Sequence, residues 1–194
     1  MTRLCVFCGS AEGARPAYAA ATRDLAGALV RRGLGVVYGG GSVGLMGVLA
    51  DAVLARGGEV IGVIPRGLAS RELAHPALTA MHVVGSMHER KALMASLADA
   101  FLALPGGLGT LEEILEILTW AQLGIHRKPV GLLDVEGYWS GLRALLAHAV
   151  REGFVRPEHA ALLLVGETPL DLLDRLAAWS PPGVARVWLD PTQI

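Results

Sequence analysis

The residues best placed to do chemistry lie in one stretch, Pro105-Gly106-Gly107-Leu108-Gly109-Thr110-Leu111-Glu112-Glu113. The apolar run before it, Ala100-Phe101-Leu102-Ala103-Leu104, reads as a buried parallel strand. The run after it, Ile114-Leu115-Glu116-Ile117-Leu118-Thr119-Trp120, reads as a helix that continues to Leu123. A strand, a glycine-rich turn and a helix start gather free backbone N–H groups at the positive end of a helix dipole. That is an anion site. Glu112, Glu113 and Glu116 follow at once, in what the pattern predicts to be the first two helical turns. A phosphate cradle beside carboxylates suits chemistry on a phosphorylated sugar or nucleotide. Thr110 and Glu113 also stand at the Thr-x-x-Glu spacing of a capping box. Glu113 therefore has two readings, a helix cap and a reactive carboxylate, and the helix dipole favours acids there in either case.

Two more segments bear on the same chemistry. Ser86-Met87-His88-Glu89-Arg90-Lys91 is predicted to open a helix. Lysine is rare, with only Lys91 and Lys128 against 15 arginines. A cationic pair at a helix start opposes the dipole unless a bound anion or nearby glutamates relieve it. Arg90 suits bidentate binding of phosphate or carboxylate. Gly39-Gly40-Gly41-Ser42-Val43-Gly44 formally fits GxGxxG, but a dinucleotide site wants an acid at the end of the next strand. Glu59 stands at the start of that strand, which ends Val63-Ile64-Pro65-Arg66. Gly39, Gly40, Gly41 and Met46 are read instead as a second wall of a mononucleotide pocket. Neither loop carries the Gly-Lys-Ser/Thr of a P-loop, which argues against ATP hydrolysis. Thr119 shares a helical stripe with Glu112 and Glu116, and it reaches the pocket if that face lines it. Trp120 and Leu123 are read as core or interface residues.

No metal site is expected. His88-Glu89 does not extend to HExxH, since position 92 is Ala, and the six histidines form no ligand-like cluster. Cys5 and Cys8 fall within a predicted strand, where positions three apart face opposite ways, so they read as two structural thiols.

The elements that must position these groups alternate. Strand-like segments cover residues 3–8, 34–38, 59–64, 79–84, 100–104, 129–133 and, as an edge, 184–189. Helix-like segments cover 16–32, 45–56, 86–98, the stretch to 123, 138–151 and 168–179. Residues 66–76 read as irregular and 158–165 stay unassigned. Ser180-Pro181-Pro182-Gly183 is a turn. Repeated βα units predict an α/β, Rossmann-like three-layer fold, a central parallel sheet with helices on both faces. Ligands in such folds bind beyond the carboxyl ends of the strands. Three glycine-bearing turns fall there: Gly9-Ser10, residues 39–47 and residues 105–110.

The bulk numbers agree. At 194 residues, one domain spanning 1–194 is expected. Hydrophobic residues make up 53% and charged residues 18%, with mean hydropathy +0.47. No apolar run reaches the roughly 18–20 residues of a membrane span. The surplus points to a sheet buried on both faces and to a subunit interface. A net charge of −1 with no basic block excludes nucleic acid as an expected partner. Met1-Thr2-Arg3 runs straight into a strand without a signal-peptide pattern, so a cytoplasmic location is expected.

Three motifs taken in order resemble the LOG ("lonely guy") family of cytokinin riboside 5′-monophosphate phosphoribohydrolases. They are residues 39–47 (Gly-Gly-Gly-Ser-Val-Gly-Leu-Met-Gly), Met87-His88-Glu89-Arg90-Lys91 and the PGGxGTxxE stretch at 105–113. The similarity runs from about Cys5 to about Gly153 and includes Trp120-Ala121-Gln122-Leu123-Gly124-Ile125-His126. The resemblance implies a Rossmann-like homodimer with the active site near the subunit interface. It implies hydrolysis of the N-glycosidic bond of an N6-modified AMP to free base and ribose 5-phosphate, with no cofactor and no metal. It puts the catalytic pair on Arg90 and Glu113. Substrate contacts fall on Lys91, Gly107, Leu108, Gly109, Thr110, Leu111, Glu112 and Thr119. A further family glutamate corresponds to Glu72, in a loop that departs from the plant form. Members were often labelled lysine decarboxylases, but no pyridoxal-phosphate lysine site is visible. The chemistry fits the resemblance: a carboxylate can stabilise an oxocarbenium-like ribose or activate water. Arg90 can hold the 5′-phosphate or steady the departing purine. The alternative on the same fold is a non-catalytic nucleotide or molybdenum-cofactor carrier.

Overall fold

The computed structural model describes residues 1–69 and 74–181. Among these, seven strands form one parallel sheet: β1 (Arg3–Phe7), β2 (Gly35–Tyr38), β3 (Val60–Pro65), β4 (Ala80–Val84), β5 (Ala100–Ala103), β6 (Val130–Leu133) and β7 (Leu163–Gly166). The helices between them are α1 (Pro16–Arg31), α2 (Gly44–Leu54), α3 (Arg66–Leu68), α4 (Met87–Leu97), α5 (Leu108–Leu123), α6 (Ser140–Arg151), α7 (Pro157–Ala160) and α8 (Pro169–Ala178). Glu72, the expected edge strand at 184–189, and Pro182-Gly183 of the expected turn lie outside the described residues.

The period-two logic of strands sorts the core into two layers. Leu4, Val6, Val36, Tyr38 and Leu102 pack with buried residues of α1, α2 and α8 on one face. Cys5, Phe7, Val37, Phe101 and Leu132 pack with Met94 of α4, Ile114 and Ile117 of α5, and Trp139 on the other. The two thiols divide accordingly: Cys5 joins one layer and Cys8 the other, and both are free. Burial raises both thiols, with Glu113 adding to the effect, so neither is a ready nucleophile.

Strand order places the site. The sheet runs β4-β3-β2-β1-β5-β6-β7. From β1 the chain builds outward to β4, then returns to lay β5 on the other side of β1. The turns leaving β1 and β5 therefore diverge to opposite faces and open a crevice at the carboxyl ends of the strands. These turns touch backbone to backbone. Gly9 N donates to the Pro105 carbonyl at 3.1 Å, and a Cβ on Gly9 would lie 3.3 Å from Gly106 Cα. Side chains would force the two turns apart.

β7 falls in the stretch left unassigned from sequence. Its four residues adjoin the apolar Leu162, and so short a run cannot be told from a helical turn by periodicity. Leu172 of α8, with no exposed surface, seals this edge by packing on Gly131 of β6 and Gly166 of β7. Replacing it with alanine leaves a cavity that neighbouring glycines have no side chains to fill. Leu172→Ala should lower unfolding free energy by about 2–5 kcal/mol, measured as a shift in the urea midpoint at unchanged slope.

Candidate active site

Two helices bring the charged groups together. At the start of α4, Ser86 Oγ accepts from the Glu89 N–H at 3.1 Å, and Glu89 accepts in turn from the Gly85 N–H. This reciprocal cap fixes where α4 begins. Arg90 and Lys91 then fall one turn in, on a face that buries them to 9% and 7% exposure. At the start of α5, Gly107 occupies the N-cap position without a side-chain cap, and Leu111 N donates to the Gly107 carbonyl at 3.0 Å. The N–H groups of Leu108, Gly109 and Thr110 have no acceptor within the helix, as at any helix start. Leu108 itself is 85% exposed at the tip of the turn.

The capping-box reading of Thr110 and Glu113 does not hold. The helix begins at Leu108, so Thr110 lies inside the first turn, buried against Gly106, where a Cβ would strike its side chain. Glu112 and Glu113 move to the second turn and Glu116 to the third, so the first turn carries no acid. Glu113 points inward, 8% exposed, with Oε1 3.3 Å from Arg90 Nη2. It does not cap the helix.

The surroundings of this pair explain its glycines. A Cβ on Gly39, in the turn after β2, would fall on the Arg90 guanidinium and lie 3.5 Å from Met46 Sδ. Gly39 thus leaves the space that the guanidinium occupies. Met87 Sδ lies 3.8 Å from Arg90 Nη1, and Arg90 Nε is buried among the described residues with no hydrogen-bond partner. Gly40 and Gly41 act through their backbone. Their carbonyls accept from His75 N at 2.9 Å and Tyr38 Oη at 3.0 Å, which fixes the turn that carries Gly39.

Burial is the largest influence on Glu113 and pushes its carboxyl up to about 7; Arg90 pulls it down, and Glu112 and Glu116 raise it further. Lys91 takes the outer carboxylates. It donates to Glu112 and lies 2.9 Å from Glu116 Oε2. Burial lowers the Lys91 ammonium, but its pairing with Glu112 and Glu116 more than reverses that and leaves it raised. The glutamates anticipated as relief for a cationic helix start are therefore those of α5. Lys128 works at the far end of α4, donating to the carbonyls of Ala95 and Ala98, each at 2.7 Å.

The structure also places the remaining residues singled out from sequence. Thr119 is exposed and donates its hydroxyl to the Leu115 carbonyl at 2.7 Å. Leu111 is half-buried, and Trp120 packs on the α4–α5 core layer. Glu59 pairs with Arg3 at 2.8 Å at the amino end of the sheet, not at the carboxyl end of the strand where a dinucleotide ribose would be held. Among the described residues no group of His, Cys, Asp or Glu could hold a metal ion. Sequence reasoning passed over Met87 and also Tyr138, whose hydroxyl donates to the Gly106 carbonyl. Its one available signal was position: Tyr138 follows β6, the neighbour of β5.

A raised carboxyl has a stability signature. The folded value of Glu113 lies above its ordinary 4.5, so its contribution to stability is full below that value and is lost as pH rises to about 7. Glu113→Gln should therefore gain in melting temperature relative to the parent between about pH 5 and about pH 8. A helix cap would predict a loss at both.

Comparison with known proteins places this geometry. A family model described as "Possible lysine decarboxylase" matches residues 46–176. The probable cytokinin riboside 5′-monophosphate phosphoribohydrolase LOGL5 of Oryza sativa subsp. japonica is 53% identical over 180 residues, 93% of this chain and 73% of that protein. The cytokinin riboside 5′-monophosphate phosphoribohydrolase LOG3 of Arabidopsis thaliana is 49% identical over 179 residues, 92% of this chain and 83% of its own. Among solved structures, the molybdenum cofactor binding protein of Rippkaea orientalis superposes with a TM-score of 0.68 at 20% identity, covering 91% of this chain and 96% of that one. The molybdenum cofactor carrier protein of Chlamydomonas reinhardtii does so with a TM-score of 0.68 at 19% identity, covering 92% and 99%. At these identities the two structures share the fold alone. With half of its residues shared across most of its length, the chain belongs to the LOG family of cytokinin riboside 5′-monophosphate phosphoribohydrolases.

Proposed function

We propose that this chain hydrolyses the N-glycosidic bond of adenosine 5′-monophosphates, N6-modified or plain, releasing the free base and ribose 5-phosphate. The observation that carries the reading is the buried Glu113 carboxyl 3.3 Å from Arg90, next to the free N–H groups opening α5. The names of the relatives LOGL5 and LOG3 supply the substrate class.

The chemistry follows from charge. As the bond to the purine breaks, C1′ gains positive charge and the base takes the bonding pair. Water then gives its hydroxyl to C1′ and a proton to the departing nitrogen. Ionised Glu113 stabilises the cationic ribose or accepts the water's proton as it attacks. With a carboxyl near 7, both protonation states are populated at neutral pH, where a group that must take and return a proton works best. The N–H groups of the α5 turn and Thr110 hold the 5′-phosphate, fixing the sugar for attack. Arg90, with donors to spare, neutralises the phosphate or the leaving base. Lys91 neutralises Glu112 and Glu116 beside Glu113, which keeps further negative charge away from the phosphate. The reaction as written uses neither cofactor nor metal.

In this reading one domain of residues 1–194 acts in the cytoplasm as a homodimer, with the crevice near the interface. The exposed apolar side chains around it, Met87, Leu108 and Leu115, support that placement. Among the described residues no helix is long and apolar enough to cross a membrane. A non-catalytic carrier would bind nucleotide or molybdenum cofactor without turnover, and shared fold is its only support.

Incubation with AMP and with N6-isopentenyl-AMP, followed by chromatography, should yield free base and ribose 5-phosphate in equal amounts. Retained ligand with no products would favour the carrier. Glu113→Gln should lower kcat by about 10³-fold or more with the fold intact. Gly39→Ala should lower kcat/KM by about 10²-fold, because its methyl displaces the guanidinium from Glu113. The backbone at Gly39 suits alanine and the clash is with a flexible side-chain tip, so the circular dichroism spectrum should not change.

A further inference from the structure

We infer that Tyr138 is a positioning residue that aims the phosphate-binding N–H groups of the α5 turn, an inference that rests on the reading of that turn as the 5′-phosphate site. The argument begins with a weakness. Gly106, Gly107 and Gly109 make the turn permissive, and at Gly107 and Gly109 a Cβ would meet nothing within 4 Å. No side chain at Gly107 packs to hold the peptide that joins it to Gly106, although the usefulness of the turn depends on where its N–H groups point.

Tyr138 supplies the missing restraint. Its hydroxyl donates to the Gly106 carbonyl. In a trans peptide the carbonyl and the N–H of the next residue point in opposite directions. Holding the Gly106 oxygen toward Tyr138 turns the Gly107 N–H the other way, at the entrance to α5. The hydroxyl is not there to satisfy a buried group, because Tyr138 is 39% exposed.

The tyrosine is itself held from two sides. Its ring meets Tyr18 edge-on at 5.7 Å and Trp139 edge-on at 4.9 Å. Tyr18 lies over Gly13, where a Cβ would be 2.7 Å from its ring. Trp139 is buried and its backbone N–H donates to Asp134 Oδ1 at 2.8 Å. Just before Tyr138, Glu136 adopts φ 51°, the one left-handed non-glycine among the described residues, and its carboxylate pairs with Arg15 at 2.9 Å. The loops after β1 and β6 are thereby tied together around the tyrosine, and through it to the turn after β5.

The test is Tyr138→Phe, which keeps the ring and removes only the hydroxyl. Loss of one orienting hydrogen bond should raise KM for AMP by about tenfold with kcat within about threefold. Turnover of adenosine, which lacks the phosphate, should hold within about twofold. Titration with inorganic phosphate should weaken in parallel, and the phosphate-induced shift of the Gly107 amide resonance should shrink. The melting temperature checks that the fold is kept. Unchanged phosphate affinity overturns the inference, as do equal losses on AMP and adenosine, or a parent protein that binds no phosphate. If the parent binds phosphate but does not cleave AMP, the proposed reaction falls, while the phosphate titration and the Gly107 resonance still decide the role of Tyr138.

Discussion

A guanidinium and a carboxyl meet where water is scarce, and most of the architecture around them follows from that meeting. Burial raises the cost of ionising Glu113, and Arg90 only partly offsets it. A buried pair of this kind is poor support for a fold. Its value is a carboxyl that changes charge near neutrality at a place where charge develops in a reaction. The pair needs two helices at a fixed separation, a glycine where the guanidinium lies, and other cations to occupy the neighbouring acids. Gly39, Lys91, Glu112 and Glu116 meet these needs.

The sheet supplies the separation. Reversal of strand order between β1 and β5 leaves a crevice that the connections do not cross, and both sides of it are lined by glycine. The contact between Gly9 and Gly106 keeps the anion-binding turn close to the first strand. The proposed phosphate site and the buried carboxyl therefore rest on one stretch of backbone, the start of α5. Small errors in that backbone would be felt at both.

Much of this was legible in the sequence, and the reasons are specific. Runs such as Leu4 to Cys8 and Ala100 to Leu104 are apolar throughout, which marks strands buried on both faces, and each is followed by a glycine turn. Rare lysine beside Arg90 and acids after Gly109 pointed to side chains that the fold does bring together. The boundary of α5 was harder. Thr-x-x-Glu suggested a helix opening at Thr110, whereas the chain turns helical at Leu108 because Gly107 can cap through its backbone alone. That displacement separates a capping glutamate from a buried one. The true reciprocal cap was Ser86 with Glu89, concealed among residues read for their chemistry. Thr119 shows the limit of stripe arguments: on an exposed face its hydroxyl turns back to its own helix. Tyr138 lies outside the three motifs, and only the adjacency of β5 and β6 brings it to Gly106.

Both lysines of the chain are spent on α4, one near its start and one at its end. The remaining 15 cationic side chains are arginines, which keep their charge at any physiological pH and resist acylation. The exterior is thus almost bare of amines. With Lys91 buried between Glu112 and Glu116 and Lys128 bound to two backbone carbonyls, both side-chain amines are engaged and shielded from amine-directed reagents, at the two ends of the helix that carries Arg90.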